Sequence, residues 1–167
     1  MEWTFRFAGI GGQGVVTIGT VLARAAMDAG YDPIQTTAYS AAARGGLVWS
    51  DVLISDSGIY DLTVEEPQYL IISAKKAYEA NREYIDNAKV AVIDSTIADI
   101  DGDNIISHDF RKIAQDARVN PKAFSMVMLG ALWKEINIFD SAYIENVIKS
   151  GKRGEANLAA FRAGMEA

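Results

Sequence analysis

Apolar and polar positions change their period several times along this chain, and each change marks an element. Trp3 to Ala8 reads as a strand, and four glycines between residues 9 and 14 then break the pattern. From Gly14 to Ala29 the residues Val15, Ile18, Leu22, Ala25 and Ala29 recur at helical spacing. Gly30 stands where a left-handed C-terminal cap belongs, and Pro33 prevents continuation. Ile34 to Tyr39 predicts a second strand, and Leu47 to Ser55 a clearer third that ends at Asp56-Ser57-Gly58. Tyr69 to Ser73 predicts a short buried strand leading into a helix from Ala74 to Asp86. Lys89 to Asp94 has the unbroken apolar run of a parallel strand covered on both faces. Beyond it the periodicity is helical over 109–118, 121–136, 140–149 and 153–166, with breaks at Asn120-Pro121, Asp140-Ser141 and Gly151.

Strands interleaved with helices of this length call for βαβ crossovers. The predicted fold class is therefore α/β. It is a three-layer, mainly parallel Rossmann-like sheet with helices on both faces and a helical C-terminal third. At 167 residues the chain has room for one core, so residues 1–167 are expected to form a single domain.

Composition narrows the chemistry more than the fold. The chain has no cysteine and one histidine, His108. It cannot hold an iron–sulfur cluster through thiolates, build a cysteine zinc site or use a thiol nucleophile. A net charge of −6 argues against nucleic-acid binding, which needs clustered Lys and Arg. The start Met1-Glu2-Trp3-Thr4 has no basic n-region, and no apolar run reaches the ~18 residues of a membrane span. A cytoplasmic location away from membranes is the expectation. Demanding chemistry would have to come from a bound organic cofactor or another chain.

Two constellations stand out. Eight of the fourteen glycines precede residue 47, and four of them lie in Gly9-Ile10-Gly11-Gly12-Gln13-Gly14, between a strand and a helix. That is the context of a dinucleotide fingerprint, in which glycines bring backbone N–H groups close to an anion at a helix N-terminus. The remaining fingerprint is missing: the second strand ends at Tyr39-Ser40 without an acid for a ribose, and Val15-Val16 stands where a P-loop has Lys-Ser/Thr. Arg6 also interrupts a strand that ought to be apolar. The bland reading of the glycines is close packing of helix on strand or of another subunit on the loop. The second constellation, Tyr39-Ser40-Ala41-Ala42-Ala43-Arg44-Gly45-Gly46, follows the second strand and falls near the same crevice. Arg44 is the only cation between Arg24 and Lys75, with a planar fork suited to carboxylate or phosphate. Its bland reading is a partner for a nearby acid such as Asp51.

Together the glycine loop and Arg44-Gly45-Gly46 resemble the gamma subunit of 2-oxoacid:ferredoxin oxidoreductases. Met128-Leu129-Gly130-Ala131-Leu132 and the stretch from Gly151 to Phe161 resemble that family's closing helices, so the likeness spans nearly the whole chain. The resemblance implies a Rossmann-like subunit that joins alpha and beta chains, often with a ferredoxin-like delta chain. It implies thiamine diphosphate and Mg²⁺ between alpha and beta, and [4Fe–4S] clusters on partners. The complex would decarboxylate a 2-oxoacid, form an acyl-coenzyme A and reduce ferredoxin. Carried over by motif, Gly9, Gly11, Gly12, Gln13, Gly14, Tyr39, Ser40, Arg44, Gly45 and Gly46 are the site residues, facing the alpha chain or contributing to coenzyme A binding. No catalytic residue and no metal ligand is assigned to this chain, and it is expected to be inactive alone. The lead-in Tyr39-Ser40-Ala41-Ala42-Ala43 differs from the His-Gly-Met-Ala-Gln of indolepyruvate-type subunits, which favours the pyruvate, 2-oxoisovalerate and 2-oxoglutarate branch. Alanines replace the proline or acid common in that branch. The rival readings are a stand-alone nucleotide-binding Rossmann enzyme and a homodimeric scaffold.

The remaining features carry bland readings. Asp99-Ile100-Asp101-Gly102-Asp103-Asn104 lacks the glycine and glutamate of a calcium loop, since Asn104 and Phe110 stand at those positions. It reads as a turn between a short strand pair. His108 reads as a capping or surface residue, Glu65-Glu66 as an exposed loop, and Lys152-Arg153 as a solvated helix start. Trp3, Trp49 and Trp133 read as core or interface anchors.

Overall fold

The computed structural model describes residues 1–41, 45–59 and 61–167. Six strands form one sheet in the order β2-β3-β1-β4-β5-β6. They are β1 (Glu2–Ile10), β2 (Asp32–Tyr39), β3 (Leu47–Ser55), β4 (Tyr69–Ile72), β5 (Val90–Asp94) and β6 (Ile105–His108). The helices are α1 (Val15–Asp28), α2 (Lys75–Ile85), α3 (Phe110–Asp116), α4 (Phe124–Trp133), α5 (Ser141–Ser150) and α6 (Gly154–Glu166). β1, β4, β5 and β6 pair in parallel, while β3 runs antiparallel to both β1 and β2. The expected mainly parallel α/β sheet is therefore present, with one reversed strand. Because β3 is reversed on both sides, β2 runs in the same direction as β1, and the loops after Ile10 and Tyr39 emerge at one end.

Strand alternation builds two cores. Phe5 and Phe7 of β1, Ile71 of β4 and Val92 of β5 face a large apolar layer with α1, α3, α4, α5 and α6. Ala8, Leu70, Ile72 and Ile93 point the other way, against Ala77 and Ile85 of α2. Helices thus cover both faces, unequally. Every residue of α4 is buried, since it is sandwiched between the sheet and α6. Gly130 and Gly164 make this possible: a Cβ at Gly130 would collide with the Phe161 carbonyl, and one at Gly164 with the Val127 carbonyl.

α1 ends as the sequence suggests. Gly30 adopts φ 91°, its N–H donates to the Met27 carbonyl at 3.0 Å and the Tyr31 N–H to Ala26 at 2.9 Å. These are the paired bonds of a Schellman motif.

One expectation needs correction. The turn around Asp99–Asn104 does not join a hairpin, because β5 and β6 are parallel and the segment is part of a crossover. β6, the strand that follows this turn, is four residues long and only partly buried, so its own pattern is faint. Among the described residues no helix is long and apolar enough to cross a membrane.

Candidate functional site

The site lies at the C-terminal end of the parallel strands, where α1 leaves β1 toward one face and α2 leaves β4 toward the other. Such a switch point opens a crevice, which in dinucleotide enzymes receives the ligand. Here Gln13 fills it. The Gln13 Oε1 accepts from the Ile10 N–H at 3.0 Å and the Ser73 hydroxyl at 2.8 Å. Its Nε2 donates to the Ser73 carbonyl at 3.3 Å, and the Ser73 N–H donates to Ala8 at 3.0 Å. Gly9 is required beneath this brace, because a Cβ there would collide with Ser73 Oγ and Gln13 Oε1. The loop after β1 is thereby fastened to the end of β4.

The tip is different. Gly11 and Gly12 are exposed, and a Cβ on either would meet nothing within 4 Å. Gly12 and Gly14 have φ 86° and 82°, which glycine adopts without strain. Gly11 donates to the Gly46 carbonyl at 3.2 Å, so the glycine loop and the β2–β3 connection are directly joined. Ser40 donates to Leu47 at 2.8 Å, and Lys76 Nζ donates to the Gly45 carbonyl at 3.4 Å. Tyr39 is 70% exposed. It borders an open, mainly apolar cleft of about 360 Å³ with Ile10, Gly12, Gly14, Val16 and Val48. Arg44, with Ala42 and Ala43, lies outside the described residues, as does Tyr60.

The two constellations are therefore neighbours, as expected, but the members play different parts. Gly9 and Gln13 serve the interior, whereas Gly11, Gly12 and Tyr39 face outward. Ser73 was missed by the sequence reading; its signal is only its place, one residue past a buried strand at the crevice end. Asp51 is a partner of Arg6. Directly opposite it in the β1–β3 register, Arg6 gives Asp51 two bonds of 2.8 Å, Nε to Oδ1 and Nη2 to Oδ2. Arg6 Nη2 also donates to the Val64 carbonyl at 3.1 Å. The guanidinium lies 5.7 Å from the Trp49 ring centroid and 5.4 Å from that of Tyr84. The hydrogen bonds that Arg6 donates to Asp51 outweigh burial and raise the Arg6 pKa above its ordinary value. This explains the interrupted apolar run in β1.

His108 closes β6 at the surface, its ring edge-on to Phe110, while Asp109 caps α3. Trp133 is in the core, and Trp3 packs edge-on to Tyr31. Glu65 and Glu66 are exposed. Among the described residues no group of three His, Cys, Asp or Glu side chains is placed to hold a metal ion.

Residues 4–167 match the family model described as pyruvate ferredoxin/flavodoxin oxidoreductase. The chain belongs to that family. Among curated proteins it is similar to the 2-oxoglutarate synthase subunit KorC of Methanocaldococcus jannaschii, 33% identical over 99% of this chain and 94% of the relative. A solved gamma subunit of a keto/oxoacid ferredoxin oxidoreductase from Geobacter sulfurreducens superposes with a TM-score of 0.80, covering 99% of this chain and 95% of that one at 24% identity. The 2-oxoglutarate:ferredoxin oxidoreductase of Magnetococcus marinus, solved with 2-oxoglutarate, coenzyme A and succinyl-CoA, superposes with a TM-score of 0.83 at 22% identity. That match covers 99% of this chain but 30% of the other, so the same fold is there one part of a longer polypeptide. This pyruvate ferredoxin/flavodoxin oxidoreductase chain is of the gamma-subunit type. The brace across its crevice and the absence of an acid at the end of β2 lend nothing to the stand-alone nucleotide enzyme.

Proposed function

We propose that this chain, acting as one domain over residues 1–167, is the gamma subunit of a thiamine-dependent 2-oxoacid:ferredoxin oxidoreductase. It works by docking on alpha and beta subunits and shaping their shared cavity. Thiamine diphosphate, Mg²⁺ and [4Fe–4S] clusters reside on those partners, with a delta chain where one is present. Ferredoxin accepts the electrons and coenzyme A the acyl group. The observation that carries this reading is the glycine loop: braced from within by Gln13 and Ser73, it offers a bare backbone tip and the exposed Tyr39. Such a surface suits close approach of another backbone or an anion better than bond-making chemistry. The KorC relatives favour 2-oxoglutarate as the oxoacid.

In this reading Gly11, Gly12, Tyr39, Ser40, Arg44, Gly45 and Gly46 face the alpha chain, and Arg44 is also available to an anionic group of coenzyme A. The test is co-expression with alpha and beta subunits. The reconstituted complex reduces ferredoxin with a 2-oxoacid and coenzyme A, while the isolated chain shows no turnover and binds no metal. Arg44→Ala weakens assembly or raises the KM for coenzyme A. A variant that changes neither removes Arg44 from the site, and turnover by the isolated chain would refute the whole reading. Measurable binding of NAD by the purified chain would restore the nucleotide-enzyme alternative.

A further inference from the structure

The two edges of the sheet are built differently. β6 closes one edge with only four residues, whereas β2 presents eight at the other. Very short edge strands, lysines and bulges are the usual guards against pairing with another chain. β2 has none of them: its register with β3 runs unbroken from Asp32–Ser55 to Tyr39–Val48, and no charged residue follows Asp32 within it. The Ser40 N–H donates to the Leu47 carbonyl one step beyond that register, so the even-numbered residues of β2 turn their N–H and C=O groups toward β3. The odd-numbered residues turn theirs outward. Pro33 is one of these, and its missing N–H deprives β3 of nothing. The outward donors are the N–H groups of Gln35, Thr37 and Tyr39, and among the described residues no backbone partner outside the β2–β3 ladder reaches them.

The side chains beside this row are open as well. Gln35 lies on the α1 face, where its Nε2 donates to the Val16 carbonyl at 3.1 Å and the Ser50 hydroxyl at 2.8 Å. Thr37 and Tyr39 share that face by alternation, and both are exposed. The exposed Thr20 hydroxyl donates to Gln35 Oε1 at 3.0 Å. Val16, Thr20 and Met27 fall on one stripe of α1 at helical spacing, so Met27, 59% exposed, continues the side of α1 that borders β2.

We propose that β2 pairs antiparallel with β2 of a second copy of this chain, joining the two sheets into one. The strand is complementary to itself in one register. With Thr37 opposite Thr37 of the second copy, Gln35 faces Tyr39, and every outward N–H of each copy meets a carbonyl of the other. Pro33 then falls beyond the last pair. Registers centred on Gln35 or Thr36 would bring Pro33 into a hydrogen-bonded pair and forfeit a bond. Charge favours the same register. A net charge of −6 opposes self-association in general, but Asp32, the one carboxylate of β2, lies at the far end and is held about 33 Å from its counterpart. The two-fold axis stands perpendicular to the sheet, so both α1 helices lie on one face with their Thr20–Met27 sides toward each other. Tyr39 takes part through its main chain, and the pairing does not depend on whether the glycine tip meets a companion chain.

The test is sedimentation velocity of the full-length chain over a wide concentration series, where a monomer that converts to a dimer is expected. Thr37→Lys and Thr37→Glu each set like charges opposite one another and weaken the dimer about tenfold, while an equal mixture of the two variants recovers it as a mixed pair. His108→Lys, an exposed change on the other edge strand, leaves the dimer intact. In the dimer the amides of Gln35, Thr37 and Tyr39 exchange slowly with solvent. In Thr37→Lys they exchange as open amides, and an unchanged melting temperature of the dilute variant shows that the fold is kept. A chain that sediments as a monomer at every concentration, a dimer undiminished by Thr37→Lys and Thr37→Glu, or a mixture of the two variants that stays monomeric would overturn the proposal.

Discussion

Breaking the Arg6–Asp51 pair should cost this protein more stability than any surface change, while replacing both members should cost little. The two side chains are only 12% and 9% exposed and meet through two bonds of 2.8 Å. Asp51→Ala leaves a guanidinium held between Trp49 and Tyr84 with the neutral Val64 carbonyl at 3.1 Å and Asn81 Oδ1 at 3.5 Å but no counter-charge. Removing one partner of a buried pair costs about 3–5 kcal/mol, because the survivor stays desolvated and uncompensated. That is a large share of the ~5–15 kcal/mol that holds a domain together. At about 2–4 °C per kcal/mol for a chain of this size, the Tm falls by roughly 6–20 °C. Arg6→Met with Asp51→Leu replaces both charges by apolar groups of similar reach, and should lie within about 1–2 kcal/mol of the parent. The assay is urea denaturation of the parent, both single variants and the double variant, read as a thermodynamic cycle. A single variant that loses less than about 1 kcal/mol, or a double variant as unstable as the sum of the singles, refutes the reasoning.

Other changes test other links. Gly164→Val should prevent α6 from seating on α4, since even a Cβ collides with the Val127 carbonyl; near-ultraviolet circular dichroism would show the core around Trp133 loosened. Gln13→Ala removes the brace across the crevice and costs about 1–2 kcal/mol, with faster amide exchange at Ile10 and Ser73 as the readout. Burial raises the Tyr69 pKa above its ordinary value. The folded state thus favours the neutral phenol, and its contribution is whole below the unfolded pKa of about 10 and is lost as pH rises through the higher folded value. Melting temperatures should drop in that alkaline window and drop less in Tyr69→Phe. Asp140→Ala should cost about 1 kcal/mol by removing the 2.8 Å cap on Ala142 N–H, measured by thermal unfolding.

Elements whose signals are local could be read in the sequence, and those that depend on distant partners could not. β3 has the predicted bounds, and α1 ends on its glycine cap. β2 begins two residues earlier than expected because Pro33 is tolerated on an edge strand, where one side of the backbone needs no partner. α4 is apolar all round, so its periodicity carries no information about which side faces the sheet. β6 is held by pairing with β5 rather than by its own four residues. At the site, the glycine positions and Tyr39 were legible as a motif. That Gln13 turns inward was not, because its partner Ser73 is 60 residues away. Arg6 was visible as an anomaly, and only the register that sets it opposite Asp51 explains it.

The Gln13–Ser73 fastening has a thermodynamic consequence for whatever meets the loop. A flexible glycine-rich segment would surrender about 1–2 kcal/mol of backbone entropy per residue on being fixed. Here most of that loss was incurred when the chain folded, so an incoming surface finds a rigid stamp rather than a rope. Association can then be quick and selective with few contacts, and loosening the anchor should slow capture even though no touching atom has changed.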